Sequence, residues 1–486
     1  MDIELKCRER SRYKKLCSSQ AQAQAEDDII VPDTMEDILR IICCRHQCRI
    51  KEKNVTSDRV SVIGELNVTI LYVPESGTGV RSIETQLPIE ANFEAAGADS
   101  TCVCITQVIN SAVDAKAANP RKISLSAVVT MDQCCYKYVD FKWYQPPESR
   151  PDKLFFRENE LNFAEVVFTG EKNLGIEDEL QLPDELSGAA FIKAFASLGD
   201  CGSEIVGSKL VVKGSCDIEA LYTLGDVLRT CSFRLPFSQL FTLPDDAPSP
   251  DTGITMMLTG QHYEAFGDKL SVDIRAAAQI VCIQEQSITY ISDAYSCRKQ
   301  LDIEKSCINI AKTISNKSFD NRLSLSYSSD YGVQSVVSAY ASVGCIERSE
   351  DGSAAIPVTA EVIYVDGEGS LRACRVRGRA EIDAQKGDIA VQNVSVSAVS
   401  EGDKISVTVI ISAVLRNIKY IDIEMVSGIA ELDADVEKPN ANVFMCAADD
   451  DLWEIAKKYY SDISLIKTVN SIDDEIPDRL LLIPVV

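Results

Sequence analysis

The chain has 486 residues, too many for one ordinary core, and the usual size range divides it into roughly three or four domains. Hydrophobic residues make up 45% and charged residues 25%, a globular composition that excludes wholesale disorder. Acidic residues outnumber basic ones 74 to 49, for a formal charge of -25; such a surface repels phosphate backbones and anionic headgroups, so a protein partner is expected, without nucleic acid and without membrane insertion.

The first 25 residues carry charges but no apolar stretch of the kind that opens a secretory signal, and they read as a strand-and-linker extension. A cytoplasmic protein is expected, and its 18 cysteines then belong to a reducing compartment, where most serve as small buried hydrophobes. The step Val31-Pro32-Asp33 opens TMEDILRII, in which Ile38, Leu39, Ile41 and Ile42 can share one helical face. Behind it lies CCRHQC, Cys43 to Cys48 with His46. No second Cys or His group follows at finger spacing, so packing is the expected role and no metal is expected.

Three pieces then recur along the chain. The apolar-Pro-Asp step returns at Leu182-Pro183-Asp184. A glycine followed eight residues later by tyrosine occurs at Gly64 to Tyr72 and Gly214 to Tyr222, and a third copy ends at Tyr364 with Ile356 in the glycine's place. Each ends in a turn-rich stretch and a second apolar run, the signature of a hairpin. An alternating strand follows Lys122, Lys269 and Lys404, the last including the strongest apolar run, Ile405 to Leu415, which alternates with Ser and Thr and is about half the roughly 20 residues of a spanning helix. These repeats predict a mainly β chain of three antiparallel modules at residues 26–145, 150–300 and 301–432, a linker at 433–441 and a different unit at 442–486.

Catalytic signatures are missing: there are two histidines, and no nucleophile elbow, phosphate loop, dinucleotide loop or zinc-protease helix occurs. An enzyme is the weaker reading, and no cofactor is expected.

The tail changes period. Leu452, Ile455, Ala456 and Tyr459 fall on one helical face, with Glu454, Lys457 and Lys458 opposite. Asp449, Asp450 and Asp451 stand where a cap and the helix dipole favour negative charge. A second helix, SLIKTVN, pairs Leu465 with Val469 and has Asn470 near its end as a left-handed cap; RLLLIP closes as a strand. The order strand, helix, helix, strand together with DLWEIAKKY and LLLIP resembles a LysM domain. That resemblance implies a small α+β (βααβ) fold with a glycan groove between the loops 447–451 and 471–479. It thereby marks Asp449, Asp450, Asp451, Leu452, Trp453, Asn470, Ser471, Ile472 and Asp473 as candidate partner- or glycan-binding residues. The family's Gly-Asp-Thr before Leu-Trp is Asp449-Asp450-Asp451 here, and its Pro-Gly is Asp478-Arg479, so side chains stand where backbone would approach a sugar. Trp453 reads as packing rather than a sugar platform; the three aspartates are open between capping and contact.

With the tail read this way, IIVPDTMEDILRII, VIGELNVTILYV and NPRKISLSAVV resemble the SPOCS domain. Three such modules ahead of one LysM domain resemble the SipL-type coat morphogenesis proteins of Clostridia. The resemblance implies a non-enzymatic adaptor in spore coat assembly, in the mother cell at the forespore surface, whose LysM tail docks a coat-basement protein resembling stage IV sporulation protein A. The alternative it leaves is a peptidoglycan- or cortex-glycan-binding protein.

Overall fold

A computed structural model describes residues 2–149, 151–199, 201–245, 250–350, 352–382, 387–437, 443–445, 451–473 and 480–486. Among the described residues the protein is mainly β, with several antiparallel sheets and two short α-helices in the tail. One succession of strands occurs three times. The first unit comprises β1 (Lys6–Ile30), β2 (Ile38–Thr56), β3 (Arg59–Pro74), β4 (Arg81–Glu94), β5 (Val103–Asn119) and β6 (Lys122–Gln145). The second comprises β7 (Leu154–Gln181), β8 (Ala190–Leu198), β9 (Gly202–Val206), β10 (Lys209–Leu224), β11 (Val227–Thr242), β12 (Asp251–Phe266) and β13 (Lys269–Ser296). The third comprises β14 (Lys299–Ser328), β15 (Val333–Val343), β16 (Glu347–Arg348), β17 (Ala354–Asp366), β18 (Leu371–Ile382), β19 (Asp388–Glu401) and β20 (Lys404–Asp435).

In each unit a long first strand pairs with an equally long last one: β1 with β6, β7 with β13, β14 with β20. Between them a small sheet, β2-β3-β4 or its counterparts around β10 and β17, packs across the long strands and closes a core. The central strand of each small sheet carries the repeat tyrosine, and Tyr72, Tyr222 and Tyr364 are fully buried because strand alternation turns them into their own unit's core. Gly64 is required by close approach: a Cβ there would lie 2.5 Å from the Arg49 carbonyl oxygen. In the third unit that approach is absent, and Ile356 fills the core.

The long strands run past the sandwiches as three two-stranded ribbons that pack together. Their shared core holds Phe141 from the first ribbon, Phe163 and Tyr290 from the second, and Ile310 and Met425 from the third. Single bridges, Tyr13 to Val166 and Ala311 to Ala164, join neighbouring ribbons into one nine-stranded sheet. The N-terminus closes the group, since Ile3 N donates to Ile429 O at 2.9 Å. Residues 1–25, expected as a strand-and-linker extension, lie mostly in β1, an integral strand of the first unit.

A correction concerns TMEDILRII, which is strand from Ile38 onward rather than helix. Two bulges in succession, between Ile38 and Arg40 and between Ile41 and Cys43, break the period of two and mimic helical spacing. The same strand separates CCRHQC. Cys43 packs where the three units meet and Cys44 in the first unit's core, and burial pushes both thiols up to about 12. His46 donates from Nε2 to Ser111 O at 2.9 Å, and burial lowers its pKa. Among the described residues no three His, Cys, Asp or Glu side chains gather as a metal set, and no helix is long and apolar enough to cross a membrane.

The tail holds β21 (Val443–Met445), α1 (Leu452–Lys458), α2 (Ile463–Asn470) and β22 (Leu480–Leu482), with β21 and β22 antiparallel. This is the strand, helix, helix, strand order expected. Two details differ. Ser471, not Asn470, takes the left-handed conformation, at φ 50°. Leu465 and Val469 point outward while Ile466 fills the tail core, because that core lies under the face one residue further along α2.

Candidate functional site

The tail does not hang free. Its helix α1 begins at an N-cap, Asp451, whose carboxylate accepts from the Trp453 backbone N–H at 2.8 Å. The other oxygen of Asp451 pairs with Arg157 at 2.8 Å, and Arg157 also lies 3.6 Å from Glu454. Arg157 belongs to β7, so the cap of the tail helix is tied to the end of the second ribbon.

Two residues on, Trp453 is only 8% exposed. Its indole Nε1 donates to Asp293 on β13 at 2.8 Å, and its ring meets Tyr295 edge-on at 4.9 Å. Phe155 stacks behind Tyr295 at 5.0 Å, and the Tyr295 hydroxyl donates to the Ser461 carbonyl at 2.8 Å. Lys457 reaches the same Asp293 carboxylate at 2.8 and 2.6 Å. Burial alone would raise the Asp293 carboxyl; the Lys457 ammonium and the Trp453 indole outweigh it and hold the group below its ordinary range. Lys153 adds a longer pair, 3.6 Å, to Asp462, the N-cap of α2. The tail is thus clamped by an aromatic step between two sets of charged groups.

The candidate residues divide accordingly. Asp451 and Trp453 are engaged with the second ribbon, and Leu452 is buried in the tail core. Asp449 and Asp450 lie outside the described residues. Asn470 ties α2 to β22: its amide donates to Ile466 O and Leu482 O and accepts from Leu482 N, at 2.7 to 2.8 Å. Ser471 and Asp473 are exposed beside it, and Ile472 packs partly on the tail core. Among the described residues the candidates do not line one open groove: the α1 end is turned inward and the α2–β22 end outward. The outward end carries Leu465, Val469, Leu480 and Leu482, each exposed. The partners of the clamp, Arg157, Asp293 and Tyr295, were not expected from sequence. Asp293 lies 160 residues before Trp453 and Arg157 nearly 300 before Asp451, and only the folded ribbon brings them there.

A second convergence lies where the three small sheets meet. The residue before each repeat tyrosine points away from its own core, and Leu71, Leu221 and Ile363 meet there, all three buried. Three residues before each tyrosine stand Thr69, Glu219 and Glu361, paired across their sheets with Arg45, Phe195 and Tyr340. These three equivalent side chains converge: the Arg45 guanidinium lies 4.7 Å from the Phe195 ring centre and 5.8 Å from that of Tyr340. Arg45 also bonds Glu219 at 2.6 Å and the Ser338 hydroxyl, so one buried cation touches all three units.

Residues 37–117 match the family profile described as SipL, SPOCS domain. The matched stretch runs from just before β2 almost to the end of β5, which is the small sheet and the first long return strand of the first unit. No curated protein and no solved structure matches the chain.

Proposed function

We propose that this protein is a non-enzymatic adaptor in spore coat morphogenesis. The observation that carries the reading is the SPOCS match over residues 37–117, a domain named for the SipL family. The repeated strand succession supports extending the same module type to the second and third units. The interlocked hub supports their acting as one rigid platform rather than as beads on a string. The order β21-α1-α2-β22 supports reading the tail as a LysM domain, and the outward apolar residues of α2 and β22 support a protein partner for it. In this reading the mother cell makes the protein, and its tail docks a coat-basement protein resembling stage IV sporulation protein A at the forespore surface.

The test is co-purification of that basement protein from sporulating cells, with the full chain and with Leu482→Ser plus Val469→Ser. The double variant leaves the tail core intact, and it is expected to lower capture at least about tenfold, a loss of about 1.4 kcal/mol. Unchanged capture sinks the docking surface. Saturable pelleting with purified cell wall that needs the tail favours glycan binding instead.

A further inference from the structure

Four thiols collect along the core of the first unit, Cys104 and Cys135 inside it and Cys17 and Cys102 packed against it. Register sets two of them face to face: Cys104 on β5 stands opposite Cys135 on β6, and the Cys104 thiol donates to Cys135 Sγ at 3.7 Å. Cys102, two residues before Cys104, points to the same side of the chain, and its thiol too lies within hydrogen-bonding reach of Cys135. Cys17 on β1 faces Cys135 from the other flank, but its sulfur takes the Cys135 backbone N–H rather than the thiol. All four are free cysteines.

The place of the facing pair gives a bond there a use. β5 is the outermost strand of its sheet, beside β6. Its ladder with β6 runs from Val103–Tyr136 to the turn at Asn119–Lys122, so Cys104–Cys135 is the second pair from the open end. An edge hairpin opens first at the end away from its turn. A disulfide would staple that end, and opposed Cα atoms of antiparallel strands, about 4.5 to 5.5 Å apart, fall inside the range that a disulfide spans.

Exposure sets the order of reaction. Cys135 is fully buried and Cys104 is 7% exposed, and burial raises both thiols, which keeps them protonated and unreactive. Cys102 is half-buried, and its sulfur accepts the Asp99 backbone N–H at 3.4 Å. Of these three thiols it is the most exposed, so a small oxidant meets it first.

We propose that Cys104 and Cys135 are a reversible modification site, closed into a cross-strand disulfide by a hydroperoxide that enters through Cys102. The hydroperoxide oxidises Cys102 to a sulfenic acid and is itself reduced to an alcohol or, from hydrogen peroxide, to water. The Cys135 sulfur attacks the Cys102 sulfur; the S–O bond breaks, and the hydroxide leaves as water with the Cys135 proton. Cys104 then displaces Cys102 from Cys135 and gives its proton to the departing Cys102 thiolate. Two thiols and one hydroperoxide thus become one disulfide, one alcohol and one water, and Cys102 is restored. The site is separate from the tail and independent of the coat-assembly reading.

It is tested on the full, reduced chain with hydrogen peroxide, followed by acid quenching, unfolding, alkylation and mass mapping. The product is expected to join Cys104 to Cys135, and dithiothreitol is expected to return both thiols. Dimedone added with the peroxide is expected to label Cys102 first, which tests the entry without any substitution. Cys102→Ser is expected to slow closure at least about tenfold. In the oxidised chain, amide exchange from Val103 to Val108 is expected to slow about tenfold or more. The proposal is overturned if Cys104 and Cys135 stay alkylatable, if the disulfide that accumulates includes Cys17 or Cys102 instead, or if the first dimedone label falls on Cys104 or Cys135. Closure as fast in Cys102→Ser, or exchange unchanged by oxidation, overturns it equally.

Discussion

The hub where the three units meet and the clamp that holds the tail are built from different chemistry. The hub is apolar, drawn from repeat-equivalent positions, and contains one cation stacked on aromatic rings. The clamp is one tryptophan-tyrosine contact ringed by ion pairs that are partly exposed. Buried apolar contact is insensitive to pH and salt, whereas part-exposed ion pairs respond to both. The junction of the three units should therefore withstand changes of pH and salt that loosen the tail.

The largest expected effect falls on the hub. Arg45→Ala leaves Glu219 without its cation and opens space between the Phe195 and Tyr340 rings, at a cost of about 3 kcal/mol. Urea unfolding should show a lower midpoint, and a transition that splits in two would mean that the hub is what couples the units. Trp453→Ala should cost the tail about 3 kcal/mol while the body's thermal midpoint stays put. A matching fall in the body's midpoint would mean that clamp and hub are not separate.

Acid offers a finer separation. The Asp293 and Asp462 carboxyls are both held below their ordinary 3.8. A depressed carboxylate contributes stability that is complete above its unfolded value and lost as pH falls through the folded one. The clamp should therefore be intact at pH 5 to 7 and loosen below about 3.8. Hydrogen exchange in α1 should rise there while the central strands β3, β10 and β17 stay protected. The smallest effect belongs to Arg157→Ala: the side chain is 39% exposed, so its pairs are worth less than about 1 kcal/mol. Its loss should be hidden at high salt; an effect that persists at 1 M salt would assign Arg157 a packing role.

Much of the β architecture was readable from sequence because a strand is a local object. The Gly-to-Tyr stretches marked the central strands of all three small sheets, and Lys122, Lys269 and Lys404 marked the starts of the last long strands. The hub also leaves a sign in the sequence. Ile70, Leu71, Tyr72 and Val73 are apolar on both parities, which in a strand means burial on both faces. Bulges defeated the reading of Ile38 to Ile42, since an inserted residue breaks the period on which pattern reading depends.

In the tail, residue types alone determined the order β21-α1-α2-β22, because caps and periodicity act within a few residues. They could not determine which surface of that small unit faces outward. AADDDLWEIAKKYY contains an aspartate cap and a tryptophan whichever way it is turned. The tertiary structure decided that the Asp451–Trp453 end meets Arg157 and Asp293. It could do so because contacts across 160 residues to Asp293 and nearly 300 to Arg157 depend on how the ribbons fold and pack, and no local pattern records that.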